Sequence, residues 1–170
     1  LNFNEGDITK IKKINISGNT VFDKNVILSK IKSKTKKITN ILANNNFKLF
    51  ETNNDIIRIQ NFYKSQGYKD VSVEYNVEYF SNNKVEINFI INEGEKYFIS
   101  ALQIKNNLDA KTDLNNKIDI FLDNKKNIIN DTYYTDRLDE IELGISELLE
   151  NAGEQYFKIT AYEKINNYKA

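Results

Sequence analysis

The sequence predicts an α+β protein made of two tandem modules, each with the element order β-α-α-β-β and a three-stranded mixed sheet covered by two helices. An internal repeat is the first reason. The motif Asn4-Glu5-Gly6 recurs as Asn92-Glu93-Gly94, and a β-branched run with a polar turn follows each copy. The second reason is the hydrophobic period, which changes along each repeat from strand alternation to helical spacing and back.

We expect three stretches along the chain. Residues 1–6 would be the end of a preceding module, residues 7–95 a first module, and residues 96–170 a second module that is incomplete at its C-terminus. Without its last strand, the second module would keep an apolar face and a strand edge open. We therefore expect residues near the C-terminus to be poorly ordered or paired with another copy of the chain, which would be an interior piece of a longer protein.

The first module begins with residues 10–17, which alternate between apolar and polar as a strand does. Gly18 and Asn19 follow as the turn that ends this strand. Asp23 then offers an N-cap carboxylate to a short amphipathic helix that continues to Ile31.

A polar linker over residues 32–54 separates this helix from a second one. The linker contains five apolar residues that we expect to contact the core, namely Ile38, Ile41, Leu42, Phe47 and Phe50. The second helix is predicted to begin near Asn54 or Asp55. It would end at Gly67, because a residue that tolerates positive φ commonly follows a helix C-terminus.

The clearest alternation in the chain lies over residues 71–79 and predicts the second strand. One face carries Val71, Val73, Tyr75, Val77 and Tyr79, and the other carries Ser72, Glu74, Asn76 and Glu78. Polar residues 81–83 form a turn, and residues 85–91 return as the third strand.

The second module repeats the pattern with a strand over residues 97–105 and a helix that includes residues 114–122. A longer helix includes residues 138–149 and is ended by Gly153. Residues 156–165 would form one more strand.

The composition argues against several kinds of site. The chain has no Cys and no His, which removes the thiolate nucleophile, the commonest general base and the commonest metal ligand. Its 24 basic and 24 acidic residues give zero net charge, so there is no global attraction to nucleic acid or to an anionic membrane. No apolar stretch approaches the roughly 20 residues of a membrane-spanning helix. We predict no catalytic residue, no metal and no cofactor.

Two groups of charged residues have alternative interpretations. The lysines within residues 30–37 are typical of a solvated helix end, with lipid headgroups or nucleic acid as the alternative. Glu5, Glu93 and Glu95 flank the module junctions, where acid or metal-binding chemistry is the alternative to a structural role.

Three motifs carry a family resemblance. They are IKKINISGNTVF over residues 11–22, FYKSQGYKDV over residues 62–71 and INEGEKY over residues 91–97. In this order, and together with the repeat, they make the chain resemble consecutive POTRA modules of the BamA family of outer-membrane protein assembly factors. The chain is most similar to the middle modules, and the resemblance covers nearly all of it.

The resemblance implies a non-catalytic protein in the periplasm of a Gram-negative cell, as part of an outer-membrane protein. Such modules receive unfolded outer-membrane proteins and dock accessory lipoproteins, and a C-terminal β-barrel belongs to the same full-length chain. The resemblance also implies that the second strand is an edge of the sheet and that the third is central. An extended client would add to that edge through main-chain hydrogen bonds.

We therefore predict two sets of functional residues. The client-binding edge would comprise Val71, Ser72, Val73, Glu74, Tyr75, Asn76, Val77, Glu78 and Tyr79. Residues with structural roles at turns and junctions would be Gly18, Asn19, Gly67, Tyr68, Glu93 and Gly94. Tyr63 and Tyr68 should pack between helix and sheet with their hydroxyl groups at the surface.

Other interpretations stay open. The second strand could instead be a half-buried strand with a solvated outer face that binds no client. The modules could instead belong to a related carrier, a two-partner secretion or translocation transporter. From another class, a KH-like nucleic-acid module has the same element order. That module needs a GxxG loop between its helices, and no glycine occurs between Gly18 and Gly67.

Overall fold

The computed structural model describes residues 8–36, 44–105, 112–134 and 136–164. The chain divides into two compact units, Leu1–Lys96 and Tyr97–Ala170. Some predictions lie outside the described residues, namely those for residues 1–6, for Ile38, Ile41 and Leu42, and for residues 165–170.

In its described residues, the first unit contains three strands and two helices in the predicted order. They are β1 (Lys10–Ser17), α1 (Lys24–Lys30), α2 (Leu49–Ser65), β2 (Ser72–Phe80) and β3 (Lys84–Asn92). β1 runs parallel to β3, and β2 runs antiparallel to it, so the sheet is mixed and has the order β1-β3-β2. The predicted central third strand and edge second strand are confirmed.

One face of this sheet carries the core of the unit. Side chains two residues apart on a strand share a face, and the apolar set of each strand points toward the helices. The most deeply buried core residues are Ile11, Ile27, Ile59, Tyr63, Val85, Ile87 and Phe89. Val73 of β2 is also buried in this core, which therefore joins α1 and α2 to all three strands.

β2 and β3 form a hairpin that pairs from Ser72 with Asn92 to Phe80 with Lys84. The turn lies at residues 81–83, as predicted, and two of its asparagines adopt positive φ. Asparagine tolerates this conformation better than other residues that carry a Cβ atom.

The start of α1 differs in one respect from the prediction. Asp23 occupies the N-cap position, but its carboxylate makes no capping hydrogen bond. Its backbone carbonyl instead accepts the N–H groups of Val26 at 2.9 Å and Ile27 at 3.2 Å. The helix is anchored by burial of Ile27 and Ile31 in the core.

α2 begins earlier than predicted, at Leu49 rather than near Asn54 or Asp55. Its first turn closes where the Thr52 N–H donates to the Lys48 carbonyl at 3.0 Å. Asp55 does not begin the helix, because its carboxylate is buried and accepts hydrogen bonds from a different segment.

The end of α2 is a Schellman motif. The Tyr68 N–H donates to the Tyr63 carbonyl at 3.0 Å, and the Gly67 N–H donates to the Lys64 carbonyl at 3.1 Å. Gly67 has a φ of 94°, which the motif requires at this position. The rings of Tyr63 and Tyr68 then meet with their centroids 5.9 Å apart.

The regular secondary structure in the described part of the second unit is helical. α3 (Thr112–Asn124) and α4 (Asp136–Asn151) match the two predicted helices. Their buried residues are Leu114, Ile118, Ile141, Ile145 and Leu149. Gly144 allows the two helices to approach closely, because a Cβ atom there would lie 2.5 Å from the Phe121 ring.

The strands predicted over residues 97–105 and 156–165 are not formed in the part of the second unit that the structure describes. Phe98 makes one isolated bridge to Thr132, and Tyr156 is 96% exposed. In the first unit, β1 and β2 both pair with β3 and not with each other. Because the described residues of the second unit hold no counterpart of β3, these two segments have no central strand to join.

The end of β1 depends on a close approach between two main chains. Gly18 follows β1 with a φ of 77°, and a Cβ atom at this position would lie 1.9 Å from the Ile91 carbonyl oxygen of β3. No side chain fits in that space. The sheet can therefore keep this register only with glycine here.

We expect Gly18→Ala to destabilise the first unit more than Gly94→Ala does. Both glycines have positive φ, but a Cβ atom at Gly94 would meet its nearest neighbour, Asp70, only at 3.4 Å. Gly94→Ala should cost about 1 kcal/mol from φ alone. Gly18→Ala should cost about 1–3 kcal/mol more, because β1 must move away from β3. Urea unfolding of both variants measures the difference, and equal losses would exclude the main-chain clash as the constraint.

Candidate functional site at an open strand edge and a buried carboxylate

The predicted client-binding residues lie on β2 or immediately before it, at one edge of the sheet. On the side facing the helices, Val71 and Val73 are buried, and exposure increases along the strand until Tyr79 is 71% exposed. The side chains on the opposite side are all exposed, and these are Ser72, Glu74, Asn76 and Glu78. β2 thus combines an apolar inner side with a polar and acidic outer side.

The pairing of β3 fixes which backbone groups of β2 point away from the sheet. The Phe89 carbonyl accepts a hydrogen bond from the Ser17 hydroxyl at 3.3 Å, and the Ile91 carbonyl faces Gly18. Odd-numbered residues of β3 therefore direct their backbone groups toward β1. Backbone groups alternate between the two sides of a strand, and Tyr75 is opposite Phe89. The N–H and C=O of Tyr75 and of the other odd-numbered β2 residues thus point outward.

The opposite edge of the sheet is partly covered. Residues 44–47 run beside the start of β1, where the Ile11 N–H donates to the Asn45 carbonyl at 2.7 Å and the Phe47 N–H donates to the Thr9 carbonyl at 2.8 Å. An extended client would compete with this segment at β1. Among the described residues of the first unit, no such segment pairs with the outer side of β2.

An apolar strip, formed by the exposed side chains of Phe50 and Ile57 on α2, flanks the inner side of the β2 edge. The Tyr75 hydroxyl donates to Asn53 of α2 at 2.8 Å. Phe50 and Ile57 share the helix face of Asn53, three residues before it and four after. They are 75% and 53% exposed, so the expected core contact of Phe50 is wrong. Phe47 does pack against the core, as predicted.

The outer face of the sheet is crossed by asparagine side chains. Asn15 on β1 donates to Asn88 on β3 at 2.7 Å, and Asn88 donates to Asn76 on β2 at 2.7 Å. Asn88 also donates to Glu78 at 3.3 Å. These side-chain hydrogen bonds lie across all three strands and keep this face polar.

Glu93 lies just after β3 and is a buried carboxylate with four hydrogen-bond donors. The backbone N–H groups of Thr20 and Val21 each donate to it at 3.0 Å, and the Thr20 hydroxyl is a third donor. The fourth is the Tyr63 hydroxyl of α2, at 2.8 Å. Glu93 therefore links both the loop before α1 and helix α2 to the end of the central strand.

These contacts determine the ionisation of both partners. Burial alone would raise the pKa of the Glu93 carboxyl, but the hydrogen bonds from Thr20, Val21 and Tyr63 outweigh it and hold that pKa below its usual 4.5. Burial and the hydrogen bond to Glu93 raise the pKa of the Tyr63 phenol. Glu93 thus serves as an anionic acceptor in the folded protein.

The expectation for the Tyr63 hydroxyl was wrong. Tyr63 is completely buried, and its hydroxyl lies inside the unit, on Glu93. Tyr68 is nearly buried beside it. The helical spacing of Tyr63 indicated the buried face, but the position of the phenol depended on an acceptor that is distant in the sequence.

A second buried carboxylate, Asp55 of α2, was not recognised as functional from the sequence. It accepts the N–H groups of Lys32 at 2.7 Å and Ser33 at 2.9 Å, and it pairs with Arg58 at 2.6 Å. These contacts hold the chain where it leaves α1. In the sequence, Asp55 was marked only as one of two residues near which the second helix would begin.

Acid or metal chemistry at the junction finds no further support. Within the described ranges, no group of three or more Asp, Glu, Cys or His side chains could hold a metal ion. Glu95 is exposed. The donors that bind Glu93 belong to the loop before α1 and to Tyr63, so these hydrogen bonds serve the fold. No helix among the described residues is long and apolar enough to cross a membrane.

Proline substitutions should distinguish the open side of β2 from its paired side. Tyr75→Pro removes an outward N–H and should leave a cooperative melting transition. Ile87→Pro removes a donor directed at β1 and a buried side chain, and it should cost about 3 kcal/mol or more. Asn76→Pro is the neighbouring control, because it removes a donor directed at β3. Equal losses in thermal stability for Tyr75→Pro and Asn76→Pro would contradict the assigned direction.

Glu93→Gln should lower the free energy of unfolding at pH 7 by about 2 kcal/mol, because charged hydrogen bonds are replaced by weaker ones. A lowered pKa in the folded state stabilises the protein above the usual pKa of 4.5, and this contribution is lost as the pH falls through the folded-state value. The variant should therefore lose less stability between pH 6 and pH 3 than the wild type. The exposed Glu95→Gln is the control, and parallel pH curves for all three proteins would refute the assignment.

Comparison with known proteins agrees with this fold. Residues 9–94 match the POTRA family model, described as surface antigen variable number repeat. Over 170 residues, 98% of this chain, the sequence is 32% identical to the outer membrane protein assembly factor BamA of Buchnera aphidicola subsp. Acyrthosiphon pisum (strain APS). The chain spans 26% of the length of that relative.

The crystal structure of Haemophilus influenzae BamA POTRA3-5 is similar in fold, with a TM-score of 0.60 and 19% sequence identity. The match covers 84% of this chain and 55% of that one. The match to the POTRA model favours that family over the KH-like alternative. The chain belongs to the POTRA family.

Proposed function

We propose that this chain is the periplasmic POTRA region of an outer-membrane β-barrel assembly factor and that β2 receives unfolded outer-membrane proteins by strand addition. The observation that carries the proposal is the row of outward backbone groups on the odd-numbered residues of β2, beside an apolar strip on α2. The role requires binding and no chemical step, so no residue is assigned to catalysis.

Strand addition suits a receptor with many clients. Main-chain hydrogen bonds recognise an extended backbone whatever its side chains, and alternate side chains enter the neighbouring surfaces. Strands of outer-membrane barrels alternate between apolar and polar residues. The apolar half of such a strand would cover Tyr75, Tyr79 and the exposed side chains of Phe50 and Ile57.

The same proposal includes docking of accessory lipoproteins and a C-terminal β-barrel in the full-length protein. It rests on the family and on the relative, whose remaining length lies outside this chain. In the second unit, Ile120 and Leu143 are exposed apolar residues on α3 and α4 and are candidates for such docking. The relative named as an assembly factor favours this role over that of a secretion or translocation transporter.

An NMR titration of the labelled chain with a barrel-strand peptide tests the client site. We expect amide shifts to concentrate on residues 71–80, with a weak affinity near the millimolar range because a single short strand gains few contacts. Two versions of the peptide, N-methylated at alternate residues in opposite phase, serve as a matched pair. One version should bind and the other should not, because only one phase faces β2.

Shifts spread evenly over the chain, or no difference between the N-methylated versions, would contradict strand addition. An absence of any shift at millimolar peptide would favour the alternative of a wet edge without a client.

A further inference from the structure

The outer side of β2 carries two glutamates four residues apart, Glu74 and Glu78. Both are exposed and point away from the helices. Within the described residues, the structure shows no ion pair for either carboxylate. The role inferred below for these two carboxylates depends on the proposed strand addition at β2.

Glu78 lies directly opposite Glu86 of β3. Like charges at directly opposed positions of a sheet repel each other. On the β1 side, Lys12 pairs with Glu86 at 2.8 Å, and this contact holds the pKa of Glu86 below its usual value. The Lys12 ammonium also lies 4.5 Å from the centroid of the Phe80 ring. Glu86 is therefore compensated from one side of the sheet.

Among the described residues, Glu78 accepts a hydrogen bond from the Asn88 amide at 3.3 Å and forms no ion pair. The charge that would compensate Glu78 can come from the next strand outward. An added strand would lie roughly 4.8 Å from β2. Its residue opposite Glu78 would have its Cβ atom about 5 Å away, which is within reach of a lysine or arginine side chain. The same geometry holds for Glu74, which on its other side faces Ile90.

We infer that Glu74 and Glu78 are specificity-determining residues of the β2 edge, which select extended segments that carry lysine or arginine at two positions four residues apart. The residues adjacent to the two cations point to the inner side, where Tyr75 and the apolar strip on α2 accept apolar side chains. The preferred partner is thus an amphipathic strand with a basic solvent side. Acidic strands are disfavoured because their carboxylates would face Glu74 and Glu78.

The test compares two nine-residue peptides in NMR titrations of the whole chain. Both have large apolar residues at even positions, and they differ only in lysine or glutamate at the third and seventh positions. We expect the lysine peptide to bind about three- to thirtyfold more tightly at low salt. The ratio should shrink at 0.5 M salt, where the screening length is only about 4 Å.

Charge reversal supplies the matched controls. In the double variant Glu74→Lys, Glu78→Lys, the preference should invert in favour of the glutamate peptide. Glu140→Lys with Glu147→Lys changes the net charge by the same amount on exposed positions of α4, and it should leave the preference as in the wild type. Amide shift patterns of the free variants show that the fold is retained.

The outcomes distinguish the two levels of the proposal. Equal binding of both peptides at β2 would overturn the charge selection while leaving strand addition intact. A preference that follows net charge in the α4 control would also overturn it. If neither peptide shifts the β2 amides, strand addition itself fails. Inversion in the β2 variant alone would establish the two glutamates as the selective residues.

Discussion

The Glu93 carboxylate is the contact on which the rest of the first unit depends. It lies at the end of the central strand and gathers donors from the loop before α1 and from Tyr63 of α2. A buried charge is tolerated only while its hydrogen bonds are satisfied, so these donors must be placed together. Asp55 acts in the same way where the chain leaves α1. With seven residues, α1 is too short to be stable alone, and the two carboxylates fix it from both ends.

The two edges of the sheet are covered to different degrees. Open edges invite pairing with other chains, and proteins usually cover or defend them. Here residues 44–47 cover part of the β1 edge. Within the described part of the first unit no segment pairs with the β2 edge, which carries exposed glutamates. Two copies of this edge would oppose glutamate to glutamate if paired about Asn76. The same charges that disfavour self-association therefore leave room for a strand of opposite charge.

The elements with a local cause could be predicted from the sequence. Alternation over residues 71–79 predicts β2 because side-chain direction follows directly from strand geometry, and Gly67 marks the end of α2 for a similar local reason. Individual side-chain contacts between distant segments could not be predicted. Asp55 was predicted to lie at a helix start, but its carboxylate accepts the N–H groups of Lys32 and Ser33. The hydroxyl of Tyr63 depended on an acceptor thirty residues away. The missing strands of the second unit have the same cause, since a strand forms only against a partner.

The two sides of β2 would contribute differently to recognition. Backbone hydrogen bonds provide attraction for any extended segment, but they do not choose between registers that differ by two residues. A slip of one residue would turn a client's apolar side chains toward Glu74 and Glu78 and its polar ones toward the α2 strip. A slip of two would move its cations away from the carboxylates. In the proposed complex, sequence-independent attraction thus comes from the backbone, and register comes from two acidic side chains on an otherwise tolerant edge.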